Sequence, residues 1–341
     1  MLRSFFWRVI IFSAVVLLVV AWGCNQFWGS AVREDCDIAL SHKVLQSEDV
    51  CQVVDSLVLP HLRHNWAFNI YARHINLYER GVKGGYYRLR RGMSVIDVAR
   101  MLKLGVQSPV RIIFNNARTA ESLAGRISRQ IDVDSVELLQ AMRSPELSQE
   151  FGLTTQQMIS IFIPNTYEVW WTITAEDFVR RMHREYEVFW NDDREAKRKA
   201  LNLTRTDVST LASIVYEESA KVDEYRRIAG VYINRLRRRM KLQADPTVKF
   251  AIGDFSIKRV LNQHLNYDSL YNTYRNYGLP PSPICVASIA ALDAVLNYEQ
   301  HNYLYFCARA QMDGYHEFES SYSAHLANAR RYAAELNKMG L

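Results

Sequence analysis

Near the middle of this 341-residue chain, Glu217-Glu218-Ser219 ends a run in which Val208, Leu211, Ala212, Ile214 and Val215 recur at helical spacing. Thr206 or Asp207 can cap that helix. At about 100° per residue, Glu218 stacks over Leu211 and near Val215, inside the apolar stripe, whereas Glu217 projects away toward solvent. A carboxylate on an apolar face is costly to ionise. Its pKa rises, and it keeps the proton that a general acid needs near neutral pH. The competing reading is an ion pair with the next helix, where Arg226, Arg227, Arg235 and the Arg237-Arg238-Arg239 run are candidates. On the helix pattern alone, the ion pair is the stronger of the two.

Two polar, proline-marked segments downstream favour chemistry. In Leu242 to Val248, Gln243, Asp245 and Thr247 offer groups suited to a sugar's hydroxyls. In the second, Tyr271-Asn272-Thr273-Tyr274 leads into a stiff stretch from Gly278 through Pro280 to Ile284. Aromatic rings beside amides suit a carbohydrate groove, although a proline-stiffened connection with structural tyrosines fits the same letters. Further upstream, Pro164-Asn165-Thr166-Tyr167 reads as a turn, with Tyr167 available to a cleft. His316 reads first as a structural hydrogen-bonder and second as a proton carrier.

These residues need elements to hold them. Tyr303 to Cys307 reads as a buried strand, Gly314 to Phe318 as a turn into another, and the chain from Ser321 as a closing helix fastened by His325 and Asn328. Asp132 to Arg198 is helical and aromatic. Ahead of it, helical spacing over Met93 to Leu104 stops at Gly105, Val110 to Phe114 is a strand, and Thr119 to Gln130 is a helix. Ser47 to Asn76 is helical, and the chain turns at the basic run around Gly84 to Gly92.

Phe5 to Cys24 is apolar apart from Arg8 and a few small or weakly polar residues, enough to cross about 30 Å of hydrocarbon. Arg3 and Arg8 precede the exit and Glu34, Asp35 and Asp37 follow it, which places the rest of the chain outside the cytoplasm. An uncleaved anchor fits better than a cleaved signal peptide: Gly23-Cys24 hints at a lipoprotein site, but Trp22 suits the small-residue cleavage pattern poorly. The fold class is α+β. An anchor occupies residues 1–30, a membrane-proximal region with a small α+β module (84–131) residues 31–131, and a mixed helical and strand domain residues 132–341. Among the five cysteines, Cys36 with Cys51 and Cys285 with Cys307 are candidate bridges. A net charge of +6 decides little about partners, and no metal, nucleotide or other cofactor signature appears.

Four stretches together resemble the MltG/YceG-like family of membrane-anchored endolytic murein transglycosylases. Ala212 to Ser219 resembles its ASIVEKET motif, Ile228 to Leu236 the helix that follows, Leu242 to Val248 its LQSDPTV loop, and Tyr271 to Ile284 its YNTY…GLPPGPI segment. The resemblance makes Glu218 the catalytic residue, because the family motif ends in Glu and a small hydroxyl residue. Tyr216 stands at the motif's earlier acidic position, Ala244 replaces a serine, and Asn115-Asn116 replaces an acidic-glycine pair. It also implies that residues 84–131 form a LysM-like module. The expected partners are peptidoglycan glycan strands, the inner membrane and peptidoglycan synthases, with no nucleic acid. The expected reaction cleaves the MurNAc-GlcNAc bond with 1,6-anhydroMurNAc formation, trimming or terminating nascent strands. The alternatives are a muramidase-type hydrolase using Glu218 and Asp245, and a non-catalytic cell-wall-binding or division scaffold.

Overall fold

The computed structural model describes residues 2–47, 49–257 and 259–338. Its contacts divide the chain into two units: Met1–Ile112 with Arg129–Val133 and Tyr167–Ile173, and Ile113–Ser128 with Asp134–Thr166 and Thr174–Leu341. Both mix helices with short strands.

In the first unit, helix α1 (Leu2–Trp28) contains an apolar stretch, Phe5–Trp28, long enough to cross a membrane and exposed along most of its length, with Gln26 buried near its end. The side chain of Arg3, which precedes that stretch, lies outside the described residues. Strand β1 (Cys36–Leu40) pairs antiparallel with β2 (Gly85–Leu89), Ile38 opposite Tyr87 and Leu40 opposite Gly85. The expected turn at residues 84–92 is therefore a strand for half its length. Alternating burial of Tyr87 and Leu89 outweighs the basic residues between and after them, and the chain turns only beyond Leu89. The helical stretch expected over residues 47–76 breaks at Pro60 and resumes as α2 (Asn65–His74), which buries Ala67, Phe68 and Ala72. Helix α3 (Val95–Leu104) starts at a reciprocal Ser94–Asp97 capping box and stops at Gly105, whose φ of 70° is left-handed.

Strand β3 (Val110–Phe114) and β4 (Asn165–Val169) form a second two-stranded sheet. The turn expected at residues 164–167 is thus the entry to a strand, where Tyr167 and Val169 alternate as buried residues. Helix α4 (Ala120–Ile127), shorter than the helix expected over residues 119–130, is capped by Thr119, and α5 (Ala175–Phe189) by Thr174.

The second unit is built around α6 (Arg205–Glu218), which packs against α7 (Tyr225–Arg237), α8 (Asp245–Ile252) and α9 (Ile289–Leu296). Its cap is Thr204, two residues earlier than expected: the Thr204 hydroxyl accepts from Asp207 N–H at 3.0 Å and the Asp207 carboxylate accepts from Thr204 N–H at 2.8 Å. The helix is not amphipathic. Thr206 and Val208 through Val215 are all buried, Ser209, Thr210 and Ser213 among them, because neighbours surround it. Ser213 joins it to the proline stretch, donating to Thr210 O at 2.7 Å and accepting Ile284 N–H at 3.0 Å. Strands β5 (Tyr305–Ala308) and β6 (His316–Glu319) pair antiparallel and are covered by α10 (Tyr322–Lys338). The first of these strands is half-buried, not fully buried as its letters suggest.

All five cysteines are free, which removes both expected bridges. Cys285 is buried with its thiol on Ser213 O at 3.7 Å, while Cys51 sits exposed on a helix. Where α7 crosses residues 299–301, only glycine fits: a Cβ on Gly230 would lie 2.5 Å from Glu299 O and 2.6 Å from His301 Nε2. Gly230→Ala is therefore expected to destabilise the protein by about 1–3 kcal/mol, read as a lower midpoint of thermal unfolding.

Candidate active site

Glu218 is the last residue of α6, and its side chain faces a cavity of about 470 Å³. Around it stand Tyr232 and Arg235 from α7, Gln243, Asp245 and Tyr274 from the two polar loops, Tyr305 and His316 from the β5–β6 sheet, and His325 from α10. Glu218 Oε1 accepts a hydrogen bond from Tyr232 OH at 2.5 Å. Burial raises the Glu218 pKa to about 7; the Tyr232 hydrogen bond lowers it, the Asp245 charge raises it, and Lys249 and Arg235 lower it. The phenol of Tyr232 is itself pushed well above its usual value by burial and by the adjacent carboxyl, so it stays a donor.

None of the arginines that competed for Glu218 pairs with it among the described residues. Arg226 donates to Asn297 O at 2.6 Å, Arg227 pairs with Glu299 at 3.1 Å, and Arg237 lies over the Tyr298 ring. Arg235 is buried and holds backbone oxygens, Leu304 O at 2.6 Å and Leu242 O at 2.8 Å, together with Gln243 Oε1 at 3.3 Å. It fixes the loop and the sheet edge that flank the acid. Glu217 is not the free surface residue its helical angle suggests, since its side chain is only 19% exposed and meets Arg118 Nε at 3.5 Å.

The expected binding residues separate into three groups. Gln243, Asp245 and Tyr274 line the cavity with Glu218, Tyr274 OH donating to Asp245 Oδ1 at 2.6 Å. Gln243 takes a left-handed φ of 51° there. Thr247, Thr273 and Asn272 lie beneath this surface as scaffold. The two threonine hydroxyls meet at 2.9 Å, Thr273 Oγ1 accepts Ala244 N–H at 2.9 Å, and the Asn272 amide donates to Leu265 O and Tyr267 O. Pro280 is also buried. Tyr271 lines a different cavity with Phe250 and Arg143, its hydroxyl 2.6 Å from Ser282 Oγ, and Tyr167 is buried in β4 of the first unit.

Sequence reasoning missed Glu224, a buried carboxylate that receives His316 N–H at 2.9 Å and lies 2.8 Å from His316 Nδ1. It also missed Tyr232, although Tyr232 and Arg235 stand at i and i+3 on a helix whose motif was visible. Glu218 and Asp245 are the carboxylates that line the cavity; among the described residues no three His, Cys, Asp or Glu side chains are grouped to hold a metal ion.

Comparisons with known proteins agree in one direction. The endolytic murein transglycosylase of Bacillus subtilis (strain 168) is 26% identical over 275 residues, covering 76% of this chain and 75% of that protein. The protein of the same name from Streptococcus pneumoniae (strain ATCC BAA-255 / R6) is 26% identical over 281 residues, but the match spans only 50% of its length. A crystal structure of a yceG-like protein from Listeria monocytogenes shares the fold, with a TM-score of 0.58 at 23% identity over 86% of this chain and 99% of that one. The YceG-like family model matches residues 43–331, so most of its length places this chain in the YceG-like family.

Proposed function

We propose that the protein is an endolytic murein transglycosylase that cleaves the MurNAc-GlcNAc bond within glycan strands, with Glu218 as its single acid/base. The observation that carries this reading is a glutamate with no arginine partner among the described residues, holding its proton to about pH 7 in a cavity lined by tyrosines, an amide and a second carboxylate. With Tyr232 donating to Oε1, Oε2 is the atom left to carry the proton. Glu218 delivers it to the leaving glycosidic oxygen. As a carboxylate, it then removes the proton of the muramic C6 hydroxyl, whose oxygen attacks C1 and closes the 1,6-anhydro ring. The nucleophile is tethered to the reacting sugar, which removes the entropic cost of recruiting one.

Asp245 keeps a second reading testable, because its carboxylate lines the same cavity. A hydrolase using both carboxylates would activate water or form a glycosyl-enzyme. Mass analysis of products from intact glycan strands separates the two: anhydro ends support the lyase, and reducing ends overturn it.

The apolar helix α1 supports anchoring in the inner membrane with the remaining chain on the periplasmic side. The strand and helix pattern across residues 84–131 is compatible with a LysM-like element that holds the polymer. Beside peptidoglycan synthases, such an enzyme would trim or terminate nascent strands.

A further inference from the structure

We propose that α2 is a lipid-docking helix, seating Trp66, Ile70 and Arg73 in the headgroup layer of the membrane that α1 enters. The inference rests on reading α1 as a membrane anchor and goes beyond it. The apolar stretch Phe5–Trp28 has 24 residues. At a rise of about 1.5 Å per residue it extends about 36 Å, some 6 Å more than the roughly 30 Å hydrocarbon layer. Its last turn therefore reaches the headgroups, and Trp22, about 9 Å before the end, lies near the boundary below them. Trp66 stacks on Trp22 with ring centroids 6.0 Å apart and planes 17° from parallel, and Phe27 meets the same Trp66 ring edge-on at 5.7 Å. Tryptophans favour this depth, since the ring is apolar and its N–H finds water or headgroups.

The connection from α1 to α2 is stiff. Arg33 N–H donates to His61 O at 3.0 Å, Arg63 N–H donates to Ala31 O at 2.8 Å, Val32 bridges Leu62, and Arg33 Nε donates to Leu62 O at 3.0 Å. These bonds hold the start of α2 against the exit of α1. One face of α2 buries Ala67, Phe68 and Ala72 in the unit's core, while the opposite face leaves Trp66 45% and Ile70 54% exposed, one turn apart, with Arg73 and His74 also exposed beyond them. Large apolar residues followed by cations along one stripe suit a bilayer interface, the rings and branched chain in the acyl boundary and the guanidinium on lipid phosphates. A protein partner would cover the same face, but the membrane helix already carries Trp22 and Phe27 to it, which favours lipid.

The test uses the full chain in vesicles of zwitterionic and anionic phospholipid carrying bromine at a shallow acyl position. Shallow bromolipids are expected to quench the fluorescence component that Trp66→Phe removes, and Ile70→Asp should abolish that quenching while the chain still sediments with the vesicles. A photoactivatable phospholipid, applied to the unsubstituted chain, should label residues 65–74. An unquenched Trp66 component and an unlabelled α2, with the tryptophans of α1 quenched, would overturn the docking and leave the anchor standing. Failure to sediment with vesicles would remove the anchor, and with it this proposal.

Discussion

Glu218→Gln is expected to lower glycan cleavage by at least about a hundredfold while the protein stays folded. Glutamine keeps the shape of the side chain and an oxygen for the Tyr232 hydroxyl, which now stands 2.5 Å from Glu218 Oε1. What it loses is the transferable proton. A scaffold in which Glu218 served only to hold the fold would lose stability and leave cleavage products, if any, unchanged. Mass analysis of strands together with circular dichroism distinguishes these outcomes: undiminished anhydro product from a folded variant would sink the catalytic assignment. Asp245→Asn serves as the companion. It should leave the anhydro product in place, because one carboxyl suffices when the nucleophile belongs to the substrate.

The second large effect is in pH dependence. Since burial raises the Glu218 pKa to about 7, the protonated form needed to start the reaction disappears above that value, and kcat/KM should fall by about tenfold per pH unit on the alkaline side. Tyr232→Phe removes the hydrogen bond that favours the charged form, so the alkaline limb should move to higher pH. The same titration acts on stability. A carboxyl whose folded-state pKa lies above its ordinary value contributes most below that ordinary value, and the contribution is lost as pH rises through about 7. Glu218→Gln is neutral throughout, so its unfolding midpoint should exceed that of the parent protein at pH 8 and match it near pH 4. An equal gap at both pH values would show that the carboxyl is not strained by its surroundings.

Legibility in the sequence followed the range of the interactions. The stop at Gly105 was readable because that device acts within one helical turn. Glu218 was found for a partly mistaken reason. An apolar stripe was assumed, yet α6 is buried on nearly every side, and what distinguishes Glu218 is its place at the end of the helix, on the cavity. Periodicity could not reveal that, because the burial of Ser209, Thr210 and Ser213 depends on neighbours far along the chain. The same limit explains Thr247, Thr273 and Asn272. Their polarity suggested a sugar surface, and only the fold shows their hydroxyls and amide spent on one another and on backbone oxygens. Strand β1 escaped notice because five residues carry too little alternation, and its partner lies nearly fifty positions away. Glu224 is held by Ser219 nearby and by His316, 92 positions distant, and the second partner is one that only the fold supplies.

The end of α6 that Glu218 occupies has an electrostatic consequence. Peptide dipoles in a helix add head to tail and leave about half a negative charge at the carboxyl end. Glu218 is the final helical residue there, and Ser219 beyond it is already extended. The direction in which the chain threads α6 thus opposes ionisation of the acid, in addition to the burial around it. Had the same side chain stood in the first turn of a helix, the dipole would have drawn its proton off.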